Sequence, residues 1–194
     1  MSALEQAVGA LARCLEEQRV AYMLIGGIAN LVWGAPRSTL DVDASVLVEE
    51  AEWPGLIRAL RRRFRVIPKD PAEFLRDTHV LPVETSEGIR IDLIWAQLPY
   101  EHKAIARAIT TDVAGHQARI CRPEDLIVHK VIADRPKDRE DVRAIVRRQG
   151  RRLDRRYLTQ TVRALSRALD QPERLTFLNA CFRQSTSSAR QPVR

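Results

Sequence analysis

The sequence predicts an α+β fold: a small mixed, twisted β-sheet with flanking helices, followed by a helical C-terminal part. Three observations point there. Residues 40–48 and 89–95 alternate apolar and polar side chains with the two-residue period of half-buried strands. Leu4, Ala7, Val8, Leu11 and Leu15 recur with helical period. Beyond Cys121 the pattern is helical throughout. Arg122-Pro123-Glu124-Asp125 and Arg135-Pro136-Lys137-Asp138 each put proline at a first helical position and an aspartate in the first turn, where the dipole favours it.

From the N-terminus, a helix is expected over 3–18; it is amphipathic and carries acids, unlike a secretion signal. Tyr22 to Ile25 reads as a buried strand, Gly26 and Gly27 follow, and Ile28 to Trp33 has the size of a short helix. After Gly34-Ala35-Pro36 comes the alternating strand. Leu40, Val42, Ala44, Val46 and Val48 take one face; Asp41, Asp43 and Ser45 take the other. Helices are expected over 53–64 and 71–76. His79–Thr85 and Ile89–Trp95 read as a hairpin around Ser86-Glu87-Gly88, with Asp92 facing away from the main apolar side. A helix over 99–107 leads to a second hairpin, 109–113 and 116–121, turning at Ala114-Gly115. Further helices are expected over 154–169 and 172–182. The expected division is a core over 1–121, a helical C-terminal part over 122–183 packed on it, and a disordered tail over 184–194, apolar only at Ala189 and Val193.

A chain of 194 residues suffices for one good core, and no stretch is long and apolar enough to span a membrane. Cys14, Cys121 and Cys181 lack metal-ligand spacing and read as buried thiols of a reducing cytoplasm. His79, His102, His116 and His129 show no ligand-like spacing either and read as structural. The net charge of +7 is uneven: residues 1–100 hold 11 Lys/Arg against 14 Asp/Glu, and residues 101–194 hold 21 against 11. Such a basic half suits a polyanionic partner. Arg147, Arg148, Arg151, Arg152, Arg155 and Arg156 form its densest cluster, which reads either as a nucleic-acid contact or as a solvated helix junction at Gln149-Gly150. With Tyr157 the one aromatic nearby, contacts there would position a backbone rather than read bases.

The chemistry centres on residues 22–48. Glycines between a strand and a helix let backbone approach a phosphate, whose charge the helix N-terminus favours. Asp41 and Asp43 share one strand face at ~7 Å spacing, two steps of a strand. Two bare carboxylates so placed repel unless a cation or proton joins them, and a hard divalent ion is the simplest partner. With Asp92 on a later strand, three acids beside a phosphate-binding turn match a two-metal phosphoryl-transfer site. The bland readings are a tight turn at Gly26-Gly27, solvated acids on an edge strand, a surface lysine at 130 and a simple i,i+4 helix pair at Lys137 and Asp141.

GGIANLVWGAPRSTLDVD followed by IRIDLI resembles the signature of the nucleotidyltransferase superfamily with a polymerase-beta-like core: hG(G/S), a helix, DhD, then a single Asp on a later strand. PEDLIVHKVIADRPKDREDV resembles the C-terminal motifs of AbiEii/AbiGii-type toxin nucleotidyltransferases and their small stand-alone relatives, through Lys130 and the run Arg135, Lys137, Asp138, Asp141. The resemblance spans roughly residues 20–148, with Gly27 where the toxins often have Ser. It implies transfer of a nucleoside monophosphate from an NTP, with Mg2+ (or Mn2+), onto a hydroxyl acceptor. In the toxin branch that acceptor is often a tRNA 3′ end, and a cognate antitoxin restrains the enzyme. By residue, it implies that Gly26 and Gly27 cradle phosphates and that Asp41, Asp43 and Asp92 hold the metals, Asp92 also accepting the hydroxyl proton. Arg37, Ser38 and Thr39 would donate to phosphate oxygens. Lys130 and Lys137 would neutralise triphosphate charge, with Asp138 orienting Lys137 or the ribose. A small-molecule adenylyltransferase of the antibiotic type and a non-catalytic relative share the same layout. The basic C-terminal half favours RNA, since aminocyclitol drugs are cations.

Overall fold

The computed structural model describes residues 2–36, 38–113 and 115–188. By compactness the chain divides into two units, Met1–Ala29 with Arg37–Arg122, and Asn30–Pro36 with Pro123–Arg194.

The first unit is built on a seven-stranded mixed sheet. Its strands are β1 (Ala21–Leu24), β2 (Asp41–Leu47), β3 (Arg65–Val66), β4 (Val80–Glu84), β5 (Arg90–Trp95), β6 (Ile109–Val113) and β7 (His116–Ile120), in the order β3-β4-β5-β2-β1-β7-β6. β2 lies mid-sheet, antiparallel to β1 and parallel to β5. The two expected hairpins are present as β4–β5 and β6–β7, although Ala114 of the second turn lies outside the described residues. Helices α1 (Ala3–Glu17), α3 (Trp53–Arg61), α4 (Pro71–Thr78) and α5 (Pro99–Arg107) belong to this unit, and α2 (Gly26–Trp33) begins in it.

Local sequence accounts for much of this. Ser2 caps α1 in a reciprocal capping box with Glu5, and the predicted stripe of Ala7, Val8, Leu11 and Leu15 is buried. Asp70 caps α4 by accepting from the backbone of Ala72 and Glu73, and Pro71 follows at the first helical position. Val42, Ala44 and Val46 of β2 and Ile91 and Leu93 of β5 are wholly buried, so alternation forces Asp41, Asp43 and Asp92 to the opposite face. Leu40 departs from the expectation: β2 starts one residue after it, and its side chain is 83% exposed.

The second unit contains α6 (Pro123–Ala133), α7 (Pro136–Gln149), α8 (Arg155–Ala168) and α9 (Glu173–Ser188), closed around Leu126, Ile127, Val131, Val142, Ile145, Leu158, Val162 and Leu178. Residues 30–36, read from sequence as part of the core, group here because α7 holds them. Gln149 Nε2 donates to the Trp33 carbonyl at 2.8 Å, and Arg148 donates to the Gly34 carbonyl. α9 continues through Ser188, so residues 184–188 are helical where disorder was expected. Residues 189–194 lie outside the described residues. No helix among the described residues is long and apolar enough to cross a membrane. All three cysteines are buried and none is in a disulfide.

Candidate active site

The site of the first unit is assembled by β1, β2, β5 and the start of α2. β1 ends at Leu24, and Ile25 N–H then donates to the Asp43 carbonyl at 2.9 Å, pinning the chain beside β2. Gly26 follows with φ +59°, a left-handed conformation that suits glycine. The close approach is itself a reason for glycine: a Cβ on Gly26 would overlap Asp43 Oδ2 and sit 2.8 Å from Asp43 Cγ. A Cβ on Gly27 would overlap Thr39 Oγ1 and lie 2.7 Å from Thr39 Cβ. The glycine pair is therefore a floor on which Asp43 and Thr39 rest.

Register places the third acid. Asp43 of β2 is the direct partner of Asp92 on β5, and Asp41 is the partner of Arg90. Adjacent strands run ~4.8 Å apart, so Asp43 and Asp92 face the same side as neighbours, with Asp41 one pleat away on the same face. Each carboxylate already has local work. Thr39 Oγ1 donates to Asp41 Oδ1 at 3.0 Å, and Arg90 Nε lies 2.9 Å and 3.1 Å from the two oxygens of Asp92. No group of three or more His, Cys, Asp and Glu among the described residues is gathered as a metal cluster. The donor set nonetheless suits hard divalent ions: carboxylate oxygens from two neighbouring strands, over a glycine that leaves room for them. Arg90 marks the place with a guanidinium, a cation already drawn to Asp92.

Of the other residues singled out from sequence, Ser38 is exposed and Thr39 half-buried at the approach to β2, whereas Arg37 lies outside the described residues. Lys130 differs from both sequence readings. It is neither a surface lysine nor open to a nucleotide, being 4% exposed and 2.6 Å from Asp141 Oδ2 and 3.3 Å from Asp138 Oδ1. Asp138 does not orient Lys137, which is exposed; its carboxylate is shared by Lys130 and Arg135, the latter at 2.5 Å. Burial raises the Asp138 pKa, but the hydrogen bond from Arg135 and the charges of Lys130 and Arg135 outweigh it and hold the group below the ordinary aspartate range. Lys130, Asp138 and Asp141 thus join α6 to α7 as a buried ionic knot. The apolar neighbours Ile127, Val128 and Val131 were the sequence signal for this burial. Arg90 went unassigned from sequence, although its i,i+2 spacing from Asp92 puts both on one strand face.

The model of the family DUF6036, nucleotidyltransferases of unknown function, matches residues 3–170. The chain belongs to this family. It is an enzyme of the nucleotidyltransferase class, and its fold agrees with the polymerase-beta-like core that the glycine and aspartate motifs resemble. Two solved structures share the fold of this nucleotidyltransferase. An antigenic nucleotidyltransferase-like protein from Paracoccidioides brasiliensis is similar over 91% of this chain and 92% of its own, at 15% identity and a TM-score of 0.54. The lincosamide antibiotic adenylyltransferase LnuA, solved with lincomycin bound, is similar over 75% of this chain and 96% of its own, at 13% identity and a TM-score of 0.50. None of the curated proteins matches this nucleotidyltransferase in sequence.

Proposed function

We propose that this nucleotidyltransferase moves a nucleoside monophosphate from an NTP onto a hydroxyl of RNA, a tRNA 3′ end, in a reaction dependent on Mg2+ or Mn2+. The observation that carries the chemistry is the Asp43–Asp92 register pair over Gly26, with Asp41 on the same face. Asp41, Asp43 and Asp92 would hold the divalent ions, which when bound neutralise phosphate charge and favour ionisation of the attacking hydroxyl. Gly26 and Gly27 present backbone to the β- and γ-phosphates at the start of α2. Ser38 and Thr39 donate to phosphate oxygens, Thr39 also holding Asp41 in place. The acceptor oxygen attacks the α-phosphorus as the bond to pyrophosphate breaks, and Asp92 takes the hydroxyl proton. Arg90 Nε engages both oxygens of Asp92, so it moves off at least one of them before Asp92 takes that proton.

RNA as acceptor is supported by the basic half of the chain, 21 Lys/Arg against 11 Asp/Glu over residues 101–194. Toxin-like action under a cognate antitoxin is supported by the motif run from Pro123 to Val142. A second reading, adenylyl transfer to a small hydroxyl compound, is favoured by the shared fold with LnuA. Incubation with α-labelled NTPs and Mg2+ or Mn2+ tests both against pools of total RNA, protein and small hydroxyl compounds. Label in tRNA alone is the expected result. Label in small compounds alone establishes the second reading, and no label in any pool points to a non-catalytic relative.

A further inference from the structure

The charged groups of the C-terminal unit sort into two classes. Most of its acids are committed internally. Glu124 accepts from Asp154 N–H and Asp125 from the Tyr157 hydroxyl; Asp134 pairs with Arg139 and Arg174, and Asp138 and Asp141 pair with Lys130. Some arginines are also committed: Arg148 donates to Gly34, and Arg155 lies over the Phe182 ring. Two members of the sequence cluster are thereby removed from it. By contrast, Arg147, Arg151, Arg152, Arg156, Arg163 and Arg167 are exposed and, among the described residues, have no ion-pair partner.

Three of these form a track. Arg156, Arg163 and Arg167 stand at i, i+7 and i+11 on α8, within ~40° of one another around the helix and ~10 Å and ~6 Å apart along it. Leu158 and Val162, on the other side, are buried. Helix stability does not explain Arg156, which occupies the first turn, where the dipole disfavours a cation and no acid is present. Arg163 and Arg167 also line a cavity of about 270 Å³ with Ser166, Asp170, Pro172 and Leu175. Ser166 is buried, and its hydroxyl has no hydrogen-bond partner. Two unpaired guanidinium groups and an unused hydroxyl at one notch suit a phosphate.

We propose that Arg156, Arg163 and Arg167 form a backbone track for RNA, with one phosphate at the Arg163–Ser166–Arg167 notch, an inference that rests on the RNA-acceptor reading. With no aromatic side chain among its residues, the track positions a strand without reading its bases. An anionic membrane is the weaker partner. Leu169 is the one large exposed apolar side chain in the described part of this unit, which leaves little to insert. Asp170 is the unfavourable group at the notch, and its φ of +52° is one that asparagine also adopts. Asp170→Asn therefore removes the repulsion without disturbing the turn.

The test is fluorescence anisotropy of a labelled single-stranded RNA and a labelled tRNA, titrated with the full chain over a range of salt. Arg156→Ala/Arg163→Ala/Arg167→Ala is expected to weaken binding by tenfold or more. The log–log salt slope should fall by about 2, three contacts at ~0.7 each for a single strand. Lysine at the same positions keeps the slope, and Asp170→Asn tightens binding several-fold. Wild-type affinity and slope in the alanine triple variant overturn the track while RNA acceptance stands. An unchanged affinity in Asp170→Asn overturns the notch. If the wild-type chain binds phosphatidylserine vesicles but neither RNA, track and RNA acceptor fall together; NTP-dependent labelling of another acceptor would then leave the core chemistry intact.

Discussion

Replacing Gly26 by alanine probes the floor of the site with a single methyl group. Two costs follow from the geometry. At φ +59° a Cβ is crowded by its own backbone, about 1–2 kcal/mol of folding stability for a non-glycine residue. The same Cβ overlaps Asp43 Oδ2 and lies 2.8 Å from Asp43 Cγ, against about 3.5–4.0 Å for ordinary carbon contact. The Asp43 carboxylate must therefore retreat by about 1 Å, and a misplacement of that size costs a reacting site about 100-fold in rate. In barrier height that is about 2.7 kcal/mol. The assay is the initial rate of labelled NMP transfer, corrected for the folded fraction by circular dichroism. Gly55→Ala serves as control. Beyond its chain neighbours and its own turn of helix backbone, nothing lies within 4 Å of its Cβ position, so within α3 the change should leave the rate alone and leave stability unchanged or up to about 1 kcal/mol higher. A folded Gly26→Ala enzyme with the wild-type rate would refute the claim that Asp43 must lie where this glycine allows.

Four further outcomes are expected from groups around the two cores. Lys130→Ala leaves Asp138 and Asp141 buried without their shared cation and should cost about 3–5 kcal/mol in denaturant unfolding; an unchanged midpoint would return Lys130 to a ligand-facing role. Because the folded pKa of Asp138 is depressed, its stabilisation is full above the unfolded value near ~4 and disappears as pH falls through the lower folded value, so Arg135→Ala should blunt the acid loss of stability. Burial is the main influence raising the Tyr22 pKa to about 12; the hydroxyl donates to Glu16 at 3.2 Å and accepts from Arg119 N–H. Its contribution is present below ~10 and lost as pH rises through 12, so phenolate absorbance should show a late titration that Tyr22→Phe removes. Arg90→Ala, at an ion pair 56% and 21% exposed, should shift stability by no more than about 1 kcal/mol, since solvent screens the pair.

Short-range physics made most elements legible in the sequence. Proline and first-turn aspartates located the starts of α6 and α7, and strict alternation put Asp41, Asp43 and Asp92 off the buried face. What stayed hidden depends on long-range pairing. Nothing local says that β2 and β5 run parallel with Asp43 opposite Asp92, or that Gly26 lies under Asp43, because those contacts join residues far apart in the chain. The two-residue strand β3 is too short to carry a period. Leu40 continued the alternation in sequence, yet pairing with β5 begins only at Asp41. Lys130 reads from sequence as a triphosphate ligand or a surface residue because a lysine is ordinarily exposed. Two aspartates, eight and eleven residues further on, supply the partners that a buried lysine needs.

Divalent-ion binding tests the central claim most directly. Isothermal titration of Mn2+ in the presence of a non-hydrolysable ATP analogue compares the wild-type chain with Asp43→Asn and Asp92→Asn, each checked for folding. The carboxylate account expects binding by the wild-type chain and at least tenfold weaker binding in both variants. Equal Mn2+ affinity in all three proteins would contradict it.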